Sequence, residues 1–204
     1  MNELFKTSWY LQDEVNAEVW SYIDNVFTNE ELDKIIEIGE GGLPAASPIK
    51  KAVIDGNKED LERRSSSISW LNSTVDNNKW IFGKLTGAIH HMNEKFFQYD
   101  IFRLEALQFT RYDASNQEFY TRHVDALSKH YGYQRKLSFS LLLTDPNEYD
   151  GGDLVLHYQH DPSYAPKERG TIVFFPSTLL HEVTPVTRGV RYSLVGWVHG
   201  PAFR

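Results

Sequence analysis

His123 and Asp125 are the residues whose types and spacing most directly suggest chemistry in this chain. They stand two positions apart at the end of a strand-like run over residues 118–124. Side chains at i and i+2 of an extended backbone point to the same face, so an imidazole and a carboxylate could bind one metal ion here. A structural His–Asp hydrogen bond would explain the same spacing, and the pair alone does not decide between the two.

His181 offers a third ligand from a later strand-like run over residues 179–183. Two histidines and one carboxylate form the facial triad that binds non-haem Fe(II) and leaves coordination positions open. The sequence therefore predicts a metal site formed by His123, Asp125 and His181. The other histidines are interpreted as surface or packing residues: His90, His91, His130, His157, His160 and His199.

Arg191 and Ser193 share one face of an otherwise apolar strand-like run that follows His181. A buried guanidinium needs an anionic partner, and it binds a carboxylate through two parallel hydrogen bonds to which a nearby hydroxyl can add. A dicarboxylate cosubstrate that chelates the metal at its other end would supply this partner. An ion pair with Glu182 or Asp153 is the alternative.

Composition excludes several classes of protein. The chain has 204 residues, of which 41% are hydrophobic, as expected for a globular domain. It has no cysteine, which excludes disulfide scaffolds, zinc ribbons and thiol nucleophiles. The net charge of −7 argues against a nucleic-acid partner. There is no membrane-length apolar run and no signal-peptide pattern, so we expect a cytoplasmic protein with no membrane partner. The acidic chain has no obvious apolar interface stripe, so we expect a monomer.

Two helices and a series of short strands are predicted to position these residues. Thr28 and Glu31 form a capping-box pattern at the start of a helix over 28–39, and apolar residues at three- and four-residue steps predict a longer helix over 76–97. Period-two alternation and turn residues predict the strands. These lie near 49–54 and over 65–71, 102–109, 118–124, 136–144, 153–158, 170–175, 179–183 and 191–199.

Helices followed by many short strands favour an α+β protein whose C-terminal half is a sandwich or jelly roll. We expect residues 1–204 to form a single domain. Helices and loops of about residues 1–98 would support a strand-rich core of about residues 99–200.

Several segments of the chain resemble those of 2-oxoglutarate- and Fe(II)-dependent dioxygenases, and more narrowly the prolyl 4-hydroxylase-like branch with its bacterial PKHD-type hydroxylases. The resemblance is close over about residues 100–200 and looser over 20–98. The segments that carry it are Tyr112, His123-Val124-Asp125, Tyr149-Asp150-Gly151-Gly152-Asp153-Leu154, and the run from Gly170 through His181 to Ser193.

The resemblance implies a double-stranded β-helix, a cupin-like jelly roll, as the fold of the catalytic domain. It implies that His123, Asp125 and His181 hold Fe(II), and that Arg191 binds the distal carboxylate of 2-oxoglutarate with help from Tyr112 and Ser193. The implied cofactors are Fe(II), the cosubstrate 2-oxoglutarate and O₂, with ascorbate as an optional addition. The implied reaction hydroxylates a substrate and releases succinate and CO₂.

A prolyl residue in a peptide or protein is the first expectation for the substrate, and a free amino acid or other small molecule is the alternative. The segment 128–135 is predicted to be a loop beside the site. Six residues are candidates for an access groove, although each is explained more simply as a surface or core residue: Arg63, Arg64, Trp70, Tyr131, Tyr133 and Trp197.

Three other functions compete with this interpretation. A nucleic-acid repair oxygenase is disfavoured by the acidic charge and by Trp197, which stands where a second arginine would be expected. A non-enzymatic jelly-roll binding module would use the aromatic residues to bind a ligand and would not need Fe(II). A cupin-type metal enzyme would bind metal through similar ligands but would release no succinate.

Overall fold

The computed structural model describes residues 19–41, 45–52, 61–126, 133–158 and 160–202. These residues form two α-helices and fifteen strands, and every strand pairing is antiparallel. The helices are α1 (Asn29–Gly39) and α2 (Lys79–Met92). The strands are β1 (Ser21–Ile23), β2 (Lys50–Lys51), β3 (Arg64–Ser65), β4 (Ser67–Leu71), β5 (Arg103–Leu104), β6 (Leu107–Asp113), β7 (Phe119–His123), β8 (Tyr133–Leu142), β9 (Asp150–Gly151), β10 (Leu154–His157), β11 (Ser163–Tyr164), β12 (Ile172–Pro176), β13 (Leu180–Val183), β14 (Val186–Arg188) and β15 (Val190–Pro201).

The strands form two main sheets and a small ribbon. The major sheet has the order β1-β12-β8-β15-β6-β4-β2, with β5 paired to β15, and the minor sheet has the order β11-β10-β13-β7-β3. Strands β14 and β9 pair with each other. Two antiparallel sheets preceded by helices confirm the predicted α+β fold, a jelly roll of the double-stranded β-helix type with supporting N-terminal helices.

Alternation along the major sheet separates a helix-facing side from a site-facing side. On β15, Leu194 and Val198 pack in one buried cluster with residues of α1 and α2. Arg191, Ser193 and Trp197 occupy the alternate positions of β15, and they line a cavity on the other side of the sheet. A second apolar cluster, which includes Leu156 of the minor sheet and Val173 of the major sheet, lies between the sheets. The helices therefore support the site without contributing to its lining.

Both predicted helices are present. The capping box of α1 is complete, because the Thr28 side chain accepts a hydrogen bond from the Glu31 amide and the Glu31 carboxylate accepts one from the Thr28 amide. The predicted helix over 76–97 consists of a 3₁₀ turn (Asp76–Asn78), α2, and a π-helical turn (Asn93–Phe97). None of the described helices is long and apolar enough to cross a membrane.

Several local predictions need correction. The strand predicted over 102–109 is divided into β5 and β6, and β6 continues to Asp113. The strand near 49–54 is reduced to β2, while residues 53–60 lie outside the described residues. Residues 133–135 of the predicted 128–135 loop begin the long strand β8, because they pair with the end of β15, and residues 127–132 again lie outside the description. The strand predicted over 118–124 ends at His123, so Val124 and the following Asp125 lie outside β7.

Candidate metal centre and adjoining cavity

His123, Asp125 and His181 converge at one point of the minor sheet. His123 on β7 and His181 on β13 are direct cross-strand partners, and their ring centroids lie 4.1 Å apart. The Nε2 atoms of His123 and His181 lie 3.8 Å and 3.5 Å from the two carboxylate oxygens of Asp125. One ligand atom from each residue lies within 4.8 Å of the others, so all three could bind one metal ion.

Backbone carbonyls orient both imidazoles. The Nδ1 atom of His123 lies 2.8 Å from the Thr121 carbonyl oxygen, and that of His181 lies 2.9 Å from the Leu179 carbonyl oxygen. A hydrogen bond donated by Nδ1 leaves the Nε2 lone pair available for a metal, as is usual for ligating histidines.

A serine pair holds Asp125 although this residue follows the end of β7. The Asp125 amide donates a hydrogen bond to the Ser177 carbonyl oxygen (2.9 Å), and the Ser138 hydroxyl donates one to the Asp125 carboxylate (2.8 Å). The Ser138 and Ser177 hydroxyls lie 2.9 Å apart. Asp125 therefore reaches the histidines through contacts with the major sheet, and not through the strand alternation that the spacing suggested.

The electrostatic state of the cluster suits a cation. Burial, followed by the nearby His181, lowers the pKa of His123 to about 4, so this imidazole is neutral near pH 7. Burial raises the pKa of Asp125, but the nearby His181 and His123 and hydrogen bonding to its carboxylate together outweigh this effect, and the pKa lies below its usual value. The cluster thus offers two imidazole nitrogens and one ionised carboxylate.

Arg191 lies on the wall of the same cavity and is 3% exposed. It is the direct cross-strand partner of Tyr112, whose ring centroid is 5.6 Å from the guanidinium carbon. Its Nη1 donates a hydrogen bond to the Ser193 hydroxyl (3.2 Å), whereas its buried Nε has no hydrogen-bond partner among the described residues. The structure thus brings together Arg191, Ser193 and Tyr112.

The alternative partners of Arg191 are engaged elsewhere. Glu182 pairs with Arg122 and His157, and Asp153 pairs with Lys167. Within the described residues, Arg191 therefore lacks the carboxylate that a buried guanidinium needs.

Gly152 fixes the space that Arg191 occupies. It has a left-handed backbone (φ +60°), and a Cβ at this position would lie 2.7 Å from Arg191 Cδ and 2.9 Å from Val186 Cγ2. Gly152 thus lies beside the site, and Gly151 before it belongs to the β9–β14 ribbon. Glycine is needed at position 152 both for its backbone conformation and for the close approach of Arg191.

The resemblance implies that Arg191 binds 2-oxoglutarate, so Gly152→Ala is expected to weaken this binding by displacing Arg191. We expect the dissociation constant for this dicarboxylate to rise about tenfold or more, in addition to a loss of about 1 kcal/mol or more in the free energy of unfolding. Isothermal titration and chemical denaturation measure the two effects. Gly41→Ala is the matched control, because Gly41 also has a positive φ (+88°) but has no atom within 4 Å of the added Cβ. Equal dissociation constants for the two variants would contradict the role of Gly152.

The candidate metal cluster and Arg191 open into one cavity of about 470 Å³. Four of the residues suggested for an access groove line it: Arg63, Arg64, Trp70 and Trp197. Tyr133 is not among its lining residues, and Tyr131 lies outside the described residues.

The sequence did not indicate three residues that support this site: Tyr120, Ser138 and Ser177. The Tyr120 ring stacks on His123 with centroids 3.5 Å apart and an angle of 14° between the rings. Tyr120 lies three residues before His123, and a shift in the register of β7 against β13 between them interrupts the period-two alternation, so the sequence did not place them together. Ser138 could have been suspected as a buried polar residue in an apolar run, but its partner Ser177 is distant in the chain.

Comparison with known proteins identifies the family. The model of the 2OG-Fe(II) oxygenase superfamily matches residues 107–199. A PKHD-type hydroxylase of Crocosphaera subtropica is 31% identical over 187 residues, which cover 87% of this chain and 77% of that protein. This chain belongs to the PKHD-type hydroxylase family. The resemblance noted in the sequence is thereby confirmed.

Other matches to PKHD-type hydroxylases are shorter. One from Synechococcus elongatus is 39% identical over 99 residues, or 47% of this chain, and the match spans 44% of that protein's length. The aligned part is thus less than half of that relative.

Solved structures share the fold of this PKHD-type family member. A prolyl-4-hydroxylase of Pseudomonas putida has a TM-score of 0.69 at 20% identity, covering 88% of this chain and 92% of that one. A prolyl hydroxylase of Trichoplax adhaerens, solved in complex with a hypoxia-inducible-factor peptide fragment, has a TM-score of 0.66 at 17% identity, with coverage of 88% and 83%.

The family implies Fe(II), 2-oxoglutarate and O₂ as cofactors, and the residues of this PKHD-type family member fit them. Two imidazoles and a carboxylate are the donor set of a facial Fe(II) site. The buried Arg191, with an unbonded Nε and no carboxylate partner among the described residues, fits the far end of a dicarboxylate.

Proposed function

We propose that this protein is a 2-oxoglutarate- and Fe(II)-dependent hydroxylase in which His123, Asp125 and His181 hold the iron. The observation that carries the proposal is that these three side chains and the buried Arg191 line one cavity. A binding module without a metal leaves both the convergent ligands and the buried guanidinium unexplained.

Arg191, Ser193 and Tyr112 would bind and orient the distal carboxylate of 2-oxoglutarate. The guanidinium supplies the charge and a planar pair of donors, and the hydroxyls of Ser193 and Tyr112 can add hydrogen bonds. The buried Arg191 favours the 2-oxoglutarate-dependent hydroxylase over a cupin-type metal enzyme, because the latter needs no cation at this position.

The chain's own residues would control geometry and exclude water. When bound, iron with 2-oxoglutarate and O₂ supplies oxidative decarboxylation to succinate and CO₂ coupled to hydroxylation of a C–H bond. The backbone-bonded imidazoles present their Nε2 atoms, and the serine pair holds the Asp125 carboxylate. Apolar side chains of Leu154 and Phe175 on the cavity wall limit access of water.

A prolyl residue in a peptide or protein is the substrate that we propose. The supports are the prolyl hydroxylases among the structures of the same fold and, for one of them, a bound peptide fragment. We also expect a cytoplasmic monomer.

Turnover of labelled 2-oxoglutarate by the purified protein tests this function. With Fe(II) and O₂, proline-containing peptides should yield succinate together with a mass gain of one oxygen atom on the peptide, and free amino acids form the comparison arm. Absence of succinate above a metal-free control would contradict the enzymatic proposal. Succinate formed with a mass gain only on the free amino acid would retain the reaction class and reject the peptide substrate.

A further inference from the structure

Arg64 is a second buried arginine on the cavity wall. It lies on β3 at the edge of the minor sheet, and the residue is 7% exposed. Its Nε donates a hydrogen bond to the Ser66 hydroxyl (2.9 Å) and its Nη2 donates one to the Gln108 side-chain oxygen (2.8 Å). Both acceptors are neutral, so the hydrogen bonds fix the guanidinium without balancing its charge.

The described lining of the cavity does not supply the missing negative charge. Lys50 and Arg63 also line the cavity, which makes this wall cationic in a chain with a net charge of −7. Asp125 is the acidic residue among the described lining residues, and it contacts the two histidines of the candidate metal cluster. Arg64 forms no ion pair with an aspartate or glutamate of the described ranges. A buried cation in this state favours an anionic ligand.

A stack of side chains places Arg64 beside the candidate metal cluster. Arg64 and Tyr120 are cross-strand partners, and the guanidinium carbon lies 4.6 Å from the centroid of the Tyr120 ring. The same ring stacks on His123. Arg64 is thus one aromatic ring removed from a proposed iron ligand, and it lies on a different sheet from Arg191, which is on β15.

The remaining donors of Arg64 match a carboxylate. The hydrogen bonds to Ser66 and Gln108 use the Nε proton and one Nη2 proton, which leaves both Nη1 protons and one Nη2 proton. A carboxylate can accept two of these at the outer edge of the guanidinium, and its single charge equals that of the arginine.

We propose that Arg64 binds a carboxylate of the substrate, so that the enzyme selects an acidic molecule for hydroxylation. This inference rests on the proposed function. The carboxylate has two possible sources: the terminal carboxylate of an amino acid, or the side chain of an acidic residue next to the hydroxylated residue in a peptide.

Matched pairs of acids and amides test the inference. The probes are N-acetyl-L-proline with N-acetyl-L-prolinamide, and acetyl-Ala-Pro-Glu-amide with acetyl-Ala-Pro-Gln-amide. Their dissociation constants are measured by calorimetry on protein loaded with Fe(II) and 2-oxoglutarate without oxygen. At least one acid should bind about ten- to a hundredfold more tightly than its amide, as expected for a charge-assisted contact.

Arg64→Gln should reduce this acid-to-amide ratio to about one, and Arg64→Lys should retain part of it because the charge remains. Arg122→Gln is the control, since Arg122 lies on β7, is exposed, pairs with Glu182 and does not line the cavity. It should leave the ratio unchanged. A purely structural role of Arg64 would weaken the acid and the amide equally, which is why the ratio is the readout.

Each outcome decides one question. Preference for the first acid identifies a terminal carboxylate, and preference for the second identifies an acidic side chain. Equal binding of acid and amide by the unmodified protein, or a preference that persists in Arg64→Gln, would overturn the inference. Absence of 2-oxoglutarate binding and of succinate formation would instead overturn the proposed function.

Discussion

His181→Ala should abolish Fe(II)-dependent formation of succinate. His181 is 5% exposed, and its Nε2 faces Asp125. Its removal leaves two ligands where the proposed site has three. Loss of a group that only supports a ligand already costs about 10- to 100-fold in metal affinity or activity, so we expect a loss of more than about 100-fold here. Succinate release and equilibrium binding of Fe(II) under anaerobic conditions measure the effect.

His157→Ala is the control for this experiment. His157 lies opposite Leu180, the neighbour of His181, and its Nε2 lies 2.9 Å from the Glu182 carboxylate. It does not line the cavity, so succinate formation should stay within about twofold of the unmodified protein. Normal succinate formation by a folded His181→Ala protein would show that His181 is not an iron ligand. A circular dichroism spectrum establishes that the variant is folded.

Arg191→Gln should weaken 2-oxoglutarate binding while it leaves Fe(II) binding nearly unchanged. Glutamine keeps a polar side chain at this position, but the positive charge is lost from a buried site. Truncating one partner of a buried charge pair costs roughly 2–5 kcal/mol, which corresponds to roughly 30- to 5000-fold in the dissociation constant. Titrations of 2-oxoglutarate into Fe(II)-loaded protein, and of Fe(II) into the metal-free protein, separate the two effects.

Arg188→Gln provides the matched arginine control. Arg188 is exposed, pairs with Asp150 and lies on β14, three residues before Arg191. We expect less than a twofold change in 2-oxoglutarate affinity, because an exposed ion pair contributes little. Equal affinities for Arg191→Gln and the unmodified protein would place the distal carboxylate elsewhere.

The sequence predicted the parts of this site that depend on residue type and alternation along a strand. Arg191 and Ser193 occupy one face of β15, as their spacing of two residues indicated. The triad was predicted from chemistry and resemblance, and its members do converge in the structure. Their role as ligands, like the roles of Arg191, Tyr112 and Ser193, stays a prediction until the variants are measured.

Features that depend on pairing between distant segments could not be predicted from the sequence. The pairing of β3 with β7 brings Arg64 onto Tyr120, and nothing local to either residue specifies that register. The spacing of His123 and Asp125 was interpreted as alternation of an extended backbone, but Asp125 follows the end of β7, and a hydrogen bond from Ser138 of the major sheet positions it instead. The loop predicted over 128–135 was too long at its C-terminal end. Residues 133–135 form a strand despite their polar composition, because they pair with β15.

The cross-strand pairing of His123 with His181 has a consequence for folding. An ion held by these residues and Asp125 would link β7 to β13 and, through the Ser138 contact, to β8 of the opposite sheet. It would act as a cross-link between segments far apart in the chain. The free energy of metal binding would then add to the free energy of unfolding of the domain. The helix-backed side of the major sheet has one apolar cluster and a second lies between the sheets, so a bound ion would add a polar link to the minor sheet beside that apolar contact.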